Sequence, residues 1–425
     1  MVKPLIVAPR KLRFLFLAAD KYPPFRVDVA TLFGKELRAQ GHLIDWILTS
    51  EKPCDSAFEG NWDGGKVWVG ANAGDDTPVN WLKSRLLAFR NDLRLFSLLR
   101  AKRYDFIQVK DKFIAPLLAI VAARFFRIPF FYWLSFPYPE AAREFASQRT
   151  GLSRAYHLSQ AKFFGFLLYR IILPNSTHVF VQSDQMKKDL ESMGVSGRKM
   201  SPVPMGISIS SMPKMTISEM QPSLSQAKKV VYLGTLSAIR RMDFLIRVMA
   251  EVLRVIPSAH LFLVGAGNQA EDERALILEA QRLRIDDKLT ITGFLPMQQA
   301  WDYVRCADVC VSPFFPTPVL NSTSPTKLVE YLALGKAVVA NDHPDQSKVL
   351  GESGGGICVP YREDAFAKGI IDLLENPEKA REMGQRGLEY VALHRDYEKI
   401  AEYLESEYYR ILATAKPGGL KLPSA

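Results

Sequence analysis

The chain has 425 residues, of which 48% are hydrophobic and 24% are charged, an ordinary globular composition with ample apolar material for two cores. Its length predicts two or three domains. The cysteines at positions 54, 306, 310 and 358 show no short disulfide framework and indicate a reducing compartment, and the six scattered histidines show no metal-binding spacing.

The net charge of +10 is distributed unevenly along the chain. Residues 1–205 contain 30 Lys and Arg against 18 Asp and Glu, whereas the remainder contains 25 against 27. This asymmetry indicates that the two halves face different partners, although a chance distribution of surface charge remains the alternative.

The first half predicts alternating strands and helices. The N-terminal run PLIVAPRKLRFLFLAAD is broken by Arg10, Lys11 and Arg13, so we interpret it as a first strand and not as a signal peptide. The most apolar run, residues 116–136, is interrupted by arginines and a proline, which favours a helix and a buried strand over a membrane span. The strands predicted here are RFLFLA (13–18), LIDWIL (43–48), DFIQV (105–109), PFFYWL (129–134) and HVFVQ (178–182).

Two stretches of the first half are both apolar and basic. Residues 81–103 carry seven Lys and Arg against one acid from Lys83 onward, with Leu and Phe between them. A basic helix with an apolar stripe binds an anionic membrane, but the same stripe could pack on the core and leave the arginines in water. Residues 161–173, AKFFGFLLYRIIL, are a second candidate for lipid contact.

A boundary between two domains is predicted near residue 205. The segment 206–228 is rich in Ser, Met and Pro, and we interpret it as a linker between a domain at 1–205 and another at 229–395. A helix and tail follow at 396–425. The strands predicted in the second half are KVVYL (229–233), HLFLV (260–264), KLTIT (288–292), DVCVS (308–312) and AVVA (337–340).

Apolar strands at this spacing, joined by helices, predict the α/β class with two doubly wound parallel sheets. Ligands of such folds bind at the carboxyl ends of the strands. In the first half, Arg26, Asp28, Lys110 and Asp111 lie after predicted strands and are therefore expected to line a cleft. The alternative for Asp28 is a cap on the first helix.

The sequence NSTSPTKLVEYLALGKAVVANDH, residues 321–343, predicts a short helix with a possible ligand at its start. Ser324 suits the N-cap, Pro325 the first helical position and Gly335 the stop, so the helix is expected from about Pro325 to Leu334. Its N-terminus suits a phosphate, and Glu330, on the second turn, could reach a neighbouring sugar hydroxyl. The alternative is an ordinary capped helix with an exposed Lys327–Glu330 pair.

Two Gly-containing turns precede this helix in the second half. VVYLGTLSAIRRMDFLI, residues 230–246, predicts a strand, a turn and a helix, and Arg240 in its loop could neutralise a diphosphate. The alternative is a solvated loop arginine. LFLVGAG, residues 261–267, predicts a strand followed by Gly-x-Gly, which alone is equally typical of a tight turn.

The order VVYLGTL…R, LFLVGAG, KLTITGFLP, ADVCVSPFF and SPTKLVEYLALGKAVVA resembles the donor domain of glycosyltransferase family 4. That resemblance covers residues 229–395 well and the first half more loosely. It implies the GT-B fold, with two Rossmann-like domains facing a central cleft that holds a nucleotide-sugar.

The resemblance also implies roles for individual residues. Glu330 matches the second glutamate of the family's E-x7-E motif, which holds the donor ribose, and Arg240 matches the basic residue that binds the diphosphate, with Lys327 beside it. The remaining donor-side positions are Gly234, Thr235, Gly265, Gly267, Gly293, Phe294, Ser322, Thr323, Ser324 and Pro325.

The chain departs from the family pattern at four places, one of which is the N-terminal loop, where KYPPFRVDVATLF lacks the usual glycines. Ser322 stands where the first motif glutamate would fall, and Thr235 stands where the family usually has a partner arginine. Ser135 lies near the position of a missing acceptor-side histidine. Many family members use an SP-x-K form of the motif, so we interpret the chain as a variant enzyme, with a catalytically inactive sugar-nucleotide-binding partner of another transferase as the alternative.

The resulting hypothesis is a retaining glycosyltransferase of cell-surface polysaccharide or glycolipid synthesis that uses UDP- or GDP-sugar and a glycan or lipid-linked acceptor. No cofactor or metal is required by the sequence, since cationic side chains can take the role of a metal. We expect a cytoplasmic protein, with an anionic membrane surface as a partner. The sequence contains no nucleic-acid-binding module that would explain its pI of 9.3, so nucleic acid is not expected as a partner.

Overall fold

The computed structural model describes residues 10–74, 76–147, 149–212 and 227–415. They form two compact units. The N-terminal unit is drawn from Met1–Pro204 and Tyr397–Ala425, and the C-terminal unit from Met205–Asp396. Most of the expected linker (213–226) and the expected tail (416–425) lie outside the described residues.

The elements are numbered in chain order. The strands are β1 Arg13–Tyr22, β2 Leu43–Ser50, β3 Phe58–Trp62, β4 Gly65–Gly70, β5 Phe106–Lys110, β6 Phe130–Leu134, β7 His178–Val181, β8 Met200–Pro202, β9 Lys228–Leu233, β10 Ala259–Val264, β11 Leu289–Ile291, β12 Val309–Ser312, β13 Val338–Asn341 and β14 Gly356–Val359. The helices are α1 Leu37–Ala39, α2 Pro78–Asp92, α3 Arg94–Ala101, α4 Ala115–Phe126, α5 Tyr138–Ser147, α6 Gly151–Phe166, α7 Leu173–Asn175, α8 Asp184–Ser192, α9 Asp243–Val255, α10 Ala270–Arg282, α11 Met297–Cys306, α12 Pro318–Asn321, α13 Thr326–Ala333, α14 Pro344–Ser353, α15 Glu363–Glu375, α16 Pro377–His394 and α17 Tyr397–Ala415. π-helical turns span Asp28–Glu36 and Leu167–Ile172.

The N-terminal unit contains an eight-stranded sheet in the order β3-β4-β2-β1-β5-β6-β7-β8. All neighbouring strands are parallel except β3, which runs antiparallel to β4. The central strands are largely apolar because each of the two faces of the sheet carries its own hydrophobic core.

The C-terminal helix α17 belongs to the core of the N-terminal unit, which the sequence did not predict. Its apolar residues recur at helical spacing and pack beside β1, β5 and β6. The Tyr408 ring packs against Phe14, Phe106 and Phe131, and its hydroxyl donates a 2.6 Å hydrogen bond to Gln108 Oε1.

The C-terminal unit contains a six-stranded parallel sheet in the order β11-β10-β9-β12-β13-β14. Helices cover both faces, and each face has its own core. The strand order reverses beside β9, and such a switch point is where doubly wound folds place their ligands.

Both sheets confirm the predicted fold class and every strand that the sequence predicted. The prediction of one helix over residues 81–103 was wrong, because α2 and α3 meet at Leu93, directly after Asn91 and Asp92, which have low helix propensity. The strands β3, β4, β8 and β14 were missed. The β3–β4 hairpin had a local signal, since Asp63-Gly64, both at positive φ, form a two-residue turn.

The predicted cap of the helix at residues 325–334 was also wrong. The helix α13 begins at Thr326, with Pro325 at the N-cap position and no side-chain cap. Ser324 Oγ instead donates to Asp345 Oδ2 (2.7 Å) and accepts from the Met205 backbone N–H (3.1 Å). The predicted end is confirmed, because Gly335 follows the helix at φ +70°.

Candidate functional site

The helix α13 is anchored at the carboxyl end of β9 through Tyr331. The Leu233 backbone N–H donates to the Tyr331 hydroxyl over 2.6 Å, and Tyr331 is fully buried. The anchor leaves the N-terminal turn of α13, which holds Lys327, next to the turn after β9: a β-carbon built on Gly234 would lie 3.4 Å from Lys327 Nζ.

Lys327 is buried between two aromatic rings. Its ammonium nitrogen lies 4.3 Å from the centroid of the Tyr232 ring and 4.8 Å from that of Phe314. It donates a 2.8 Å hydrogen bond to the Tyr232 hydroxyl, which in turn donates to the Thr235 carbonyl over 3.3 Å. Because Lys327 is buried, the exposed Lys327–Glu330 pair, which was the simple alternative, is ruled out.

Arg240 lies at the same ring. It ends a short 3₁₀ turn, Ala238–Arg240, and its guanidinium carbon is 5.4 Å from the Phe314 centroid. Burial, followed by the charge of Arg240, holds the pKa of Lys327 well below its ordinary value. Two cations thus share one small site in the C-terminal unit.

Lys327 is buried and Arg240 is half-buried, and a buried cation usually has a carboxylate partner. Within the described ranges, neither Arg240 nor Lys327 has a carboxylate oxygen within 4 Å. Cationic side chains beside a helix N-terminus and a Gly turn form an arrangement that suits a phosphate or diphosphate.

Glu330 lies one turn further along α13. Burial raises its pKa to about 7, although the neighbouring Lys327 lowers it. The carboxyl group is therefore partly protonated near neutral pH. An oxygen acceptor at this place suits the hydroxyl groups of a nucleoside sugar.

The glycine turns after β9 and β10 are in close backbone contact. Gly234 N–H donates to the Val264 carbonyl over 3.0 Å, and a β-carbon on Gly265 would lie 2.1 Å from Gly234 O. Gly265 also has a φ of +149°, so no side chain is accommodated there without movement. The second glycine of the pair, Gly267, donates to Glu273 Oε1 over 3.0 Å.

Other donor-side positions are placed differently. Gly293 has a φ of +68°, and Phe294 beside it is 85% exposed. Ser322 Oγ bonds back to the Pro318 carbonyl over 3.2 Å, and Thr323 Oγ1 bonds to the Leu320 carbonyl over 2.6 Å. These two hydroxyls thus stabilise the end of α12, as the Ser324 hydroxyl stabilises the chain near Met205.

The acceptor-side residues predicted in the N-terminal unit form one buried polar cluster. Lys110 ends β5, and its ammonium lies 2.9 Å from Asp20 Oδ2, 3.4 Å from Asp111 Oδ2 and 3.5 Å from Asp28 Oδ2. The side chains of all four are almost completely buried. Burial lowers the pKa of Lys110, but the three carboxylates together raise it above its ordinary value.

Arg26 and Ser135 complete this cluster. Arg26 Nε is 3.1 Å from Asp28 Oδ1, and the Ser135 backbone N–H donates to Asp111 Oδ1 over 2.8 Å, while its hydroxyl bonds to the second Asp111 oxygen. The Arg26 side chain is the most exposed of the set, at 36%. The Asp28 cap is not observed, since no side-chain cap is present at this π-helical turn.

Several residues of both sites were missed by sequence reasoning. Tyr232 and Tyr331 lie inside a strand-like and a helical apolar run, and Phe314 follows the apolar strand β12, so all three resemble ordinary core residues. Asp20 had a usable signal, because it directly follows the apolar run of β1 as Asp111 follows that of β5.

The described part of the chain contains no group of three or more His, Cys, Asp or Glu that could hold a metal ion. None of its helices is both long and apolar enough to cross a bilayer.

Both halves of the chain match the models of known protein families. Residues 28–206 match the model of the glycosyl transferase 4-like domain, and residues 215–390 match that of the glycosyl transferases group 1. The chain therefore belongs to the family 4 type of glycosyltransferase with the GT-B fold, and it is a glycosyltransferase enzyme.

Individual relatives and structures agree with this assignment. The chain is 23% identical over 369 residues to the alpha-monoglucosyldiacylglycerol synthase of Streptococcus pneumoniae, a match covering 84% of this chain and 77% of that protein. It is 25% identical over 226 residues to the phosphatidyl-myo-inositol mannosyltransferase of Mycolicibacterium smegmatis, with 52% and 53% covered.

Two solved structures have the same fold. Sucrose-phosphate synthase from Thermosynechococcus elongatus superposes with a TM-score of 0.70 at 20% identity, covering 95% of this chain and all of that one. Anabaena Alr3699/HepE in complex with UDP-glucose superposes with a TM-score of 0.66 at 16% identity, covering 94% and 100%.

Proposed function

We propose that the protein is a retaining glycosyltransferase that moves a sugar from a nucleotide-diphosphate donor to a hydroxyl group of a glycan or lipid-linked acceptor. The observation that carries the donor assignment is the pair Arg240 and Lys327 on the Phe314 ring, which have no carboxylate partner in the described ranges. A diphosphate would supply the missing negative charge.

The two cations have a defined role in such a reaction. As the bond between the sugar and the diphosphate breaks, the leaving oxygen takes the electron pair and gains negative charge. Arg240, Lys327 and the N-terminus of α13 stabilise that charge, while positive charge develops on the sugar ring. Retention of configuration is inferred from the family resemblance and not from any single residue.

The nucleoside part of the donor is assigned to Glu330 and the glycine turns. Glu330 would accept hydrogen bonds from ribose hydroxyls, and the turns at Gly234 and Gly265 let backbone approach the diphosphate closely. The similar Anabaena protein is described in complex with UDP and UDP-glucose, so we propose UDP-sugar first and GDP-sugar second.

The acceptor hydroxyl is assigned to the buried cluster around Lys110. Three carboxylates and two cations leave this cluster with one excess negative charge, which suits an uncharged hydroxyl and disfavours a phosphate at the same point. Two relatives are named as glycolipid-forming enzymes, which favours a lipid-linked acceptor and a cytoplasmic protein associated with the membrane face.

The test is nucleotide release by the purified protein from a panel of UDP-, GDP- and dTDP-sugars, with and without a lipid extract. Release from one donor that rises with the extract is the expected result and identifies the base and the sugar. Tight nucleotide binding in calorimetry without release from any donor would refute turnover of these donors, and Ser322 and Thr235 would then be the first positions to restore.

A further inference from the structure

The helix α2 has its polarity reversed relative to an ordinary surface helix. Apart from Trp81, its exposed apolar side chains and that of the following Leu93 recur at intervals of three and four residues, which places them in one stripe on one side of the helix. They are Val79, Leu82, Leu86, Phe89 and Leu93. Val79 is 74% exposed and Leu86 is 62% exposed.

The face of α2 that packs on the N-terminal unit is polar and hydrogen-bonded. Asn91 Nδ2 donates to the Leu48 carbonyl (2.9 Å) and the Trp68 carbonyl (3.2 Å), and Ser84 Oγ donates to the Gly74 carbonyl (2.9 Å). These bonds fix the rotation of the helix. The apolar stripe of α2 therefore faces solvent, whereas Leu95, Leu98 and Leu99 of α3 pack in the core, so the core-packing alternative holds for α3 and not for α2.

Two further helices of the same unit present apolar stripes to solvent. On α4 and its N-cap, Ile114, Val121 and Phe125 are exposed, with Phe125 at 77%. On α6 the exposed apolar residues are Leu152, Tyr156, Phe163 and Phe166.

These helices lie on one face of the eight-stranded sheet. The helix α4 and the π-helical turn that continues α6 share one core, and α2 packs against α4. A single face of the N-terminal unit thus carries three apolar stripes, which is more than isolated exposed side chains would explain.

The charges around the stripes are predominantly positive, although α5, which packs on α6, carries Glu140 and Glu144, and Arg94 of α3 pairs with Glu59. The ranges 78–103, 112–137 and 151–183 contain a single acid, Asp92, whose buried carboxylate pairs with Lys112. Their exposed cations include Lys83, Arg85, Arg90, Arg124, Arg127, Arg154, Lys162 and Arg170. Two copies of this surface facing each other would bring like charges together, which disfavours self-association.

We infer that α2, α4 and α6 form a docking surface for a membrane rich in anionic lipids, with the apolar stripes inserted among the acyl chains and the cations at the headgroups. This inference goes beyond the transfer reaction, because binding of a lipid surface does not depend on the donor or on turnover.

Vesicle flotation with the full chain tests the surface. The protein is mixed with vesicles of phosphatidylcholine alone or with phosphatidylglycerol, and the bound fraction is measured at low and high salt. We expect binding only to the anionic vesicles, weakened by salt because surface charges are screened within about 10 Å at 0.1 M ionic strength.

Matched variants separate the surface from general hydrophobicity. Leu86→Glu combined with Phe125→Glu should lower the bound fraction about tenfold, since charged side chains replace membrane-inserting ones. Val255→Glu combined with Leu278→Glu, at exposed apolar positions of the C-terminal unit, should leave it unchanged. Unaltered thermal unfolding and UDP binding verify that each variant is folded.

Two results would overturn the inference. One is absence of binding to anionic vesicles by the unaltered protein, and the other is equal loss in the two variant pairs. A stable dimer in solution that Leu86→Glu and Phe125→Glu dissociate, without vesicle binding, would instead assign this face to a second copy of the chain.

Discussion

Replacing Lys327 with Met should weaken nucleotide binding without destabilising the protein. The two side chains are similar in length, so Met fills the space between Tyr232 and Phe314 and removes only the amine and its hydrogen bond. The change thus separates the charge of Lys327 from its packing.

The expected loss of affinity follows from the charge. A cation about 4 Å from a phosphate charge contributes about 4 kcal/mol at an effective dielectric constant of about 20. Part of this is offset, because burial lowers the pKa of Lys327 and the amine must be held protonated in the complex. We therefore expect a net loss of about 2–3 kcal/mol, or a Kd for UDP raised about 30- to 150-fold.

Lys327→Met should weaken UDP binding, but it should not lower the stability of the fold. A buried cation without a carboxylate partner costs free energy of folding, whereas its hydrogen bond to the Tyr232 hydroxyl contributes only about 1 kcal/mol. The free energy of unfolding of Lys327→Met should therefore be unchanged or raised by about 1 kcal/mol.

Calorimetric titration with UDP and thermal unfolding measure both quantities, with Lys336→Met as the matched control. Lys336 lies in the same unit, and its ammonium donates to the Ala307 carbonyl over 2.9 Å, away from the Phe314 ring. The control should bind UDP normally. Unchanged UDP affinity in Lys327→Met, or a loss of affinity accompanied by a fall in Tm, would refute the assignment of Lys327 to the diphosphate.

Three further predictions test other parts of the two sites. The Kd of Glu330→Gln for UDP, divided by that of the unaltered protein, should increase as pH rises through about 7, because only the unaltered protein has a carboxyl group that becomes ionised there. If calorimetry gave a ratio independent of pH, Glu330 would not belong to the ribose site. Gly265→Ala should lower the free energy of unfolding by about 1–3 kcal/mol, since its β-carbon would meet backbone at a positive φ. The control Gly351→Ala, in open space on α14, should raise the free energy of unfolding by about 0.5–1 kcal/mol, and equal effects of the two changes in denaturant unfolding would contradict this reasoning. Lys110→Met should lower the free energy of unfolding by about 3–5 kcal/mol, since three buried carboxylates lose their shared cation. Chemical unfolding should show a smaller loss for Arg26→Met because Arg26 is partly exposed, and comparable losses would mean that the cluster is not organised around Lys110.

Much of the fold was predictable because it follows local rules. Runs such as FLFLA (14–18) and LFLV (261–264) are apolar at every position, as strands buried on both faces require, and each predicted strand is present. The β3–β4 hairpin was missed because its polar outer strand lacks such a run, although Asp63-Gly64 marked the turn.

Only some of the residues of the candidate donor site were predictable from the sequence. Arg240, Lys327 and Glu330 stood out through their place in a recognisable order of motifs, and the structure brings the two cations to one ring. Tyr232 and Phe314 could not be separated from ordinary core residues, because an aromatic side chain that holds a cation has the same sequence signature as one that packs.

The sequence by itself determined the α/β class, the order of strands and helices, the family and the identity of the candidate cations, since all of these depend on local hydrophobic pattern and motif order. Only the tertiary structure decided which side chains face inward. It removed Ser324 from the helix cap, buried Lys327, gathered Asp20, Asp28 and Asp111 around Lys110, and turned the apolar stripe of α2 toward solvent. The physical reason is that burial and pairing depend on contacts between residues far apart in the chain, which no local pattern specifies.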